Sequence, residues 1–459
     1  MIRVDSSLTA ETLRGDIDRL FAISAKKIFA LQKTWDPRQG APVFTAAGRY
    51  TSRGWTEWTQ GFQFGSPLLQ FAATGERRAL AAGRTPILEH MAKHVSHIGV
   101  HDHGFNNVST YGNLYHLAKA GRISVTKGEI RCCELALRVS GAIQAARWTA
   151  LPGHLGYIYS FNGPHSLFAD TIRSLRALAL SHKLGHVLLG EGDRQISLLG
   201  RLLQHADTTA RFNVYYGRGR DRYDVRGRVA HESIFNLNDG SYRCPSTQQG
   251  YSPFTTWTRG LAWILCGYTE QLEFLETRPE EEFEPFGKKA KFLARFLEAA
   301  RATADYYIEQ TPTDGVPYWD TGAPGLANLG RYLDRPADPF NDHEPVDSSA
   351  AAIAAQGLIR LGRYLGGRKQ VRDSARYIAA GLTVARTIFR EPYLSISPRH
   401  QGLLLHAIYH RPNAWDYVPP RRKIPCGESC IWGDYHVREL ALLVQRMADR
   451  KSYYTFFGY

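Results

Sequence analysis

Two acidic residues stand in settings that chemistry could use. Asp102 lies in His101-Asp102-His103-Gly104-Phe105, a carboxylate between two imidazoles on a glycine-bearing turn. Such a turn can hold a charge in a cleft; the alternative is a carboxylate that caps the next helix. The two histidines are at i and i+2 with no third ligand evident beside them, so a metal centre is not expected. Asp170 lies in Leu167-Phe168-Ala169-Asp170-Thr171-Ile172. Apolar neighbours penalise its ionised form and raise its pKa toward the range of a general acid. A helix N-terminal dipole would pull the other way, and capping is again the plain alternative.

Three further groups could bind rather than react. Arg259 and Trp263, in Trp257-Thr258-Arg259-Gly260-Leu261-Ala262-Trp263, are four apart on one helical face. A guanidinium and an indole so placed suit a carboxylated ring, by charge pairing and by stacking; the alternative is a snorkelling arginine beside a core tryptophan. His231 and Gln249-Gly250-Tyr251 precede that helix. Near the C-terminus stand Leu404-Leu405-His406, Tyr409-His410 and Trp432-Gly433-Asp434-Tyr435, with Asp347-Ser348-Ser349-Ala350 read as tight helix packing.

These residues need a scaffold, and the periodicity supplies one. Apolar residues recur at three- and four-residue spacing in twelve stretches: 11–34, 56–73, 76–97, 108–120, 127–148, 167–184, 191–212, 255–276, 286–309, 346–365, 369–389 and 431–449. Short turns alternate with long polar, aromatic loops at 149–166, 213–254, 310–345 and 390–430. The pattern predicts an all-α (α/α)₆ barrel, six helical hairpins in a ring with the long loops on one face, where function is expected. Asn238-Asp239-Gly240 between Phe235 and Tyr242 predicts a small β-hairpin insertion. No strand–helix alternation supports a Rossmann or TIM-barrel fold. No linker or low-complexity run divides the chain, so 1–459 is expected to be a single domain.

Composition narrows the partners. The 459 residues carry a formal charge of +14, which attracts polyanions. The densest basic cluster, Arg218 to Arg228, is broken by glycine and aspartate and does not resemble a nucleic-acid-binding tail. The 24 Tyr, 21 Phe and 9 Trp include many in loops beside Gly, His and Asp, where rings suit flat, half-apolar ligands such as sugars. The six cysteines form no paired C-x-x-C set and are expected to be free thiols. No stretch approaches a membrane span, and Met1 to Arg14 has no apolar signal core, so a cytoplasmic location is expected.

Taken in order, the motifs resemble the unsaturated glucuronyl hydrolases, glycoside hydrolase family 88. The matching pieces run from Trp58-Thr59-Gln60-Gly61-Phe62, through His101 to Phe105, Asp170-Thr171, Gln249-Gly250-Tyr251, Trp257 to Trp263 and Asp347 to Ala350, to Leu404-Leu405-His406 and Trp432 to Tyr435. The resemblance implies an (α/α)₆ barrel, no metal or organic cofactor, and removal of a 4,5-unsaturated uronic acid from the end of an acidic oligosaccharide. It casts Asp170 as general acid/base and Asp102 as the second essential carboxylate. It also implies that Trp58, His101, Phe161, His231, Gln249, Arg259, Trp263, Tyr409 and Ser429 bind substrate. Phe161 stands where the family commonly has Trp, and Ile172-Arg173-Ser174 replaces its usual Met-Met-Asn. Some relatives that accept sulfated glycans carry Ser-x-x-Ser-x-Lys before the last helix. Here Arg421-Arg422-Lys423-Ile424-Pro425-Cys426-Gly427-Glu428-Ser429 stands there, with only Ser429 in place. The three cations in that loop, with Arg218, Arg220, Arg222, Arg226 and Arg228, predict a basic pocket rim that favours sulfated or multiply carboxylated aglycones; a solvated basic surface is the alternative. The competing functions are an unsaturated rhamnogalacturonyl hydrolase (family 105), against which the His-Asp-x-Gly-Phe segment argues, and a catalytically inactive glycan-binding barrel.

Overall fold

A computed structural model describes residues 1–452 and Thr455. Helices occupy all twelve predicted regions: α1 (Arg14–Thr34), α2 (Gln60–Thr74), α3 (Arg77–His90), α4 (Asn113–Lys119), α5 (Lys127–Ala146), α6 (Arg176–Lys183), α7 (Leu198–Phe212), α8 (Thr258–Glu276), α9 (Lys289–Glu309), α10 (Ser348–Gly367), α11 (Val371–Ile388) and α12 (Ile431–Ala448). A π-helical turn, Gly104–Gly112, leads into α4, and a single turn, Thr171–Ser174, leads into α6.

The even-numbered helices form the inner ring. α2 packs on the π-helical turn, that turn on α6 and on Thr171–Ser174, and the latter on α8; contacts then run from α8 to α10, α10 to α12 and α12 back to α2. A helix enclosed on all sides must be apolar or small around its whole circumference, and Ser348-Ser349-Ala350-Ala351-Ala352 at the start of α10 is fully buried. The odd-numbered helices lie outside and are amphipathic. Inner helices lead to the next outer helix through 75–76, 120–126, 184–197, 277–288 and 368–370, the first closed by Gly75 at a φ of +74°. Outer helices lead back to the next inner one through 35–59, 91–103, 147–170, 213–257, 310–347 and 389–430. All six long connections therefore end at inner-helix N-termini, on one face. The partial positive charge of those ends favours an anionic ligand there.

Local departures from the expected elements matter for the site. The region expected as one helix over 167–184 begins instead as a strand, Ser166–Phe168, paired antiparallel with Glu232–Phe235, which pairs in turn with Tyr242–Ser246. The expected hairpin is thus the outer part of a three-stranded sheet, and Asp170 falls in the break between strand and helix. The stretch expected to run over 76–97 ends at His90, followed by one turn at Ala92–Val95. All six cysteines are free; of the adjacent pair, Cys133 is buried and Cys132 exposed. Among the described residues no helix is long and apolar enough to cross a membrane.

Candidate active site

Gly104 explains how two carboxylates from separate segments meet. A Cβ there would collide with the Ser174 carbonyl oxygen, so the turn after Asp102 can lie directly against the turn after Asp170. Three bonds lock this approach. The Gly104 N–H donates to Ser174 Oγ (2.9 Å), and Gln144 Nε2 from α5 donates to the same oxygen (2.9 Å) and to the His101 carbonyl (2.7 Å). Ser174 is one of the departures from the family pattern, and Arg173 is another. Arg173 is fully buried, donating to Glu270 (3.0 Å) and Glu439 (2.9 Å) beneath the site. We expect Gly104→Ala to push the two turns apart. It should cost about 1–3 kcal/mol of stability, the usual scale for overpacking, and lower kcat more than it raises KM; denaturant melts and steady-state kinetics on the same preparation check this.

The resulting centre is a buried trio. His101 Nε2 lies 3.3 Å from Asp170 Oδ2 and 3.6 Å from Asp102 Oδ1. Neither aspartate is a helix cap. Asp170 occupies the N-cap position of its turn without a side-chain cap bond, and Asp102 Oδ2 and Asp170 Oδ1 have no hydrogen-bond partner among the described residues. His103 points elsewhere, to Ser140 Oγ and the His97 carbonyl, so the expected imidazole–carboxylate–imidazole unit is not formed. Its place is taken by His101 between two carboxylates.

The charge distribution corrects the sequence expectation. Burial, with the Asp170 charge adding to it and His101 opposing, pushes the Asp102 carboxyl up to about 7. Burial pushes Asp170 the same way, but the His101 hydrogen bond and charge outweigh it and hold Asp170 below the ordinary carboxylate range. Burial also opposes charge on His101, and the two carboxylates more than offset that, raising its pKa. Asp102 is thus pushed toward the protonated form and Asp170 toward the ionised one. His231 is held neutral, burial lowering it to about 4. Its Nδ1 accepts the Gln248 N–H (3.0 Å), so its Nε2 carries the proton.

The trio closes one end of a cavity of about 410 Å³, within the size range of small-ligand sites. Trp58, Asp102, Phe161, Asp170, Gln249, Arg259, Trp263 and Tyr409 all line it. His101 lies behind the carboxylates, edge-on to Phe161 (4.7 Å), and His231 lies behind Phe168 and Trp257. Ser429 is elsewhere. Its N–H donates to Thr45 Oγ1 and its side chain is buried outside the cavity lining.

Arg259 does not act as the free cation that its spacing suggested. It pairs with Asp347 (2.8 Å), donates to the Ile408 and Tyr409 carbonyls and binds Gln249 Oε1 (2.9 Å). Its charge is balanced by Asp347, and it holds Gln249 by its Oε1, which leaves the Gln249 amide NH₂ as a donor beside it in the lining. Asp347 also caps α10 through Ser349 and Ala350, so it combines the expected packing role with a second one. The expected basic rim is likewise absent from the cavity lining. Arg218 pairs with Glu298 and Arg226 with Asp305; Arg220 and Arg228 bond backbone carbonyls, and Arg422 lies against Asp342 and Phe340. Sequence reasoning missed Trp55 and Trp415, which do line the cavity.

An (α/α)₆ barrel whose inner-helix N-termini surround a proton-sharing carboxylate pair and aromatic walls is the framework of a glycan-processing enzyme. The chain is 26% identical over 407 residues to the unsaturated glucuronyl hydrolase of Bacillus sp. (strain GL1), covering 88% of this chain and 90% of that one. It is 22% identical over 394 residues to an unsaturated chondroitin disaccharide hydrolase of Streptococcus agalactiae serotype III, covering 84% and 80%. A crystal structure of an unsaturated glucuronyl hydrolase specific for heparin superposes with a TM-score of 0.71 at 19% identity, over 95% of this chain and all of that one. No family model matches the chain. The chain is thus a relative of the unsaturated glucuronyl hydrolases, as its ordered motifs indicated, and shares their fold.

Proposed function

We propose that this protein is a glycoside hydrolase that removes the terminal 4,5-unsaturated uronic acid from lyase-generated acidic oligosaccharides. The observation that carries the reading is the geometry of the carboxylate pair. Oxygen atoms of Asp102 and Asp170 and a ring nitrogen of His101 all lie within 4.8 Å of one another. Both carboxylates face one imidazole nitrogen, His101 Nε2, at 3.6 Å for Asp102 and 3.3 Å for Asp170. A carboxylate pair joined through one imidazole suits the exchange of one proton with one small region of the substrate.

The unsaturated uronate offers such a region, since its C4=C5 bond is an enol ether. Asp170, with Oδ1 unpartnered, delivers a proton to C4. Positive charge develops at C5 and the ring oxygen, water adds at C5, and the water's proton returns to the carboxylate pair. The hemiketal then opens and the aglycone leaves by rearrangement. Before substrate binds, the proton rests on Asp102. Burying the anionic carboxylate of the substrate beside Asp170 disfavours a second negative charge and moves the proton onto it. Gln249, held by Arg259, offers its NH₂ to the uronate, and Trp58, Phe161, Trp263 and Tyr409 enclose the ring.

The test is a screen of lyase-derived disaccharides from hyaluronan, chondroitin, heparin, gellan, ulvan and pectin, read as loss of the ultraviolet absorbance of the conjugated acid. Turnover of none of them would leave a glycan-binding barrel as the better reading. The glucuronyl and chondroitin-disaccharide names of the relatives favour this activity over the unsaturated rhamnogalacturonyl one, and pectin-derived substrate tests that choice. The trio could in principle ligate a cation, but the mechanism uses only a proton. Exhaustive dialysis against a chelator should leave kcat unchanged, and a loss restored by a divalent ion would require a metal at the trio.

A further inference from the structure

Trp55 has two features that folding does not explain. It is 76% exposed at the cavity mouth, and its backbone lies in the left-handed region with φ +65°. An exposed indole forgoes burial, and a left-handed φ is unfavourable for any residue with a Cβ. An outlier of this kind points toward function. A second tryptophan lines the same mouth. Trp415 packs on Tyr409 (5.4 Å between centroids) and His410 (4.7 Å), and the Arg53 guanidinium lies 4.6 Å from its ring centroid. The loop that carries Trp415 is fixed by Asp416, which accepts the N–H groups of Tyr409 (2.5 Å) and His410 (2.9 Å).

We propose that Trp55, which lines the same cavity as Trp415 with its stacked Arg53, forms the subsite for the sugar ring next to the unsaturated uronic acid. This rests on the function proposed above. An enzyme that removes an end group places that group at the closed end of its cavity, here beside Asp102 and Asp170, so the next ring must lie at the opening. A flat indole binds the apolar C–H face of a pyranose with little regard to single hydroxyls. Arg53 adds a cation that can pair with a sulfate or carboxylate on the same ring. Aglycone recognition therefore runs through the segment before α2 and the loop 411–416, and not through 421–429, whose side chains lie outside the cavity lining.

The experiment compares wild type, Trp55→Ala and Trp55→Phe on two substrates: a lyase-derived disaccharide, and the methyl glycoside of the same unsaturated uronic acid, which lacks the second ring. Trp55→Ala should lower kcat/KM on the disaccharide about tenfold more than on the methyl glycoside, mainly through KM, as the loss of one stacking contact predicts. Trp55→Phe should recover most of the difference. Arg53→Gln should weaken the preference for an anionic over a neutral second ring. Equal effects of Trp55→Ala on both substrates, or no effect on either, would overturn the subsite. Turnover of the methyl glycoside by wild type reports on the uronidase reading by itself. Failure on both substrates would remove that reading and the subsite together. Because Trp55 is exposed, the variants should melt no lower than wild type, which separates a binding loss from misfolding.

Discussion

Asp170→Asn should reduce kcat by about a hundredfold or more, the usual scale for losing a general acid, while KM changes little. The substitution keeps the size of the side chain and its place in the break between the strand Ser166–Phe168 and the turn Thr171–Ser174, neither of which depends on a cap from Asp170. What it removes is the oxygen proposed to exchange a proton with C4. It also takes one of two carboxylates from His101, so the imidazole should lose part of its raised proton affinity, visible by NMR as a lower His101 pKa. Near-full turnover by Asp170→Asn on a confirmed substrate would displace Asp170 from the reaction. A hundredfold loss carried entirely by KM would recast it as a binding group.

The parts of this arrangement that were legible in the sequence are those encoded by short-range pattern. Twelve helical stretches were readable because the outer helices carry an apolar face at the 3.6-residue period and the inner ones are apolar or small over most of their length. The pattern failed at 167–184, where Leu167-Phe168 reads equally as strand or helix and only the partner at Glu232–Phe235 decides. The proton's location was not legible at all. It depends on His101 lying between Asp102 and Asp170, which are 68 positions apart in the chain, and on a close approach at Gly104 that becomes visible only in space. Arg259 misled for the same reason, since its balancing partner Asp347 lies 88 residues away. The basic clusters misled because net charge says nothing about which cations find carboxylates, and Arg218 and Arg226 found theirs on α9. Trp55 left a weak signal, an aromatic in Gly54-Trp55-Thr56-Glu57-Trp58 with no apolar period to bury it. Read beside Trp58, it could have been placed at the site.

Asp102→Asn should behave differently from Asp170→Asn, losing activity while gaining stability at high pH. The wild-type pair holds one proton below about 7 and loses it above, so kcat/KM should fall along an alkaline limb near that value. In the variant the proton has no reservoir and must sit on Asp170, whose folded-state pKa lies below 3.8. Residual activity should therefore rise as pH falls, and the limb near 7 should vanish. The stability effect follows from the same shift. An acid whose pKa rises from 3.8 unfolded to about 7 folded binds its proton more tightly in the native state. Below 3.8 it makes no difference. Between 3.8 and about 7 the native state holds a proton that the unfolded chain has released, so stability declines with rising pH until the full cost of the buried charge is reached. That cost is a few kcal/mol, at ~1.4 kcal/mol per tenfold change in proton affinity. Asp102→Asn removes it, so the variant's melting temperature should exceed that of wild type by more at pH 8 than at pH 5. An alkaline limb that persists unchanged in Asp102→Asn, with no pH-dependent gain in stability, would place the proton on another group.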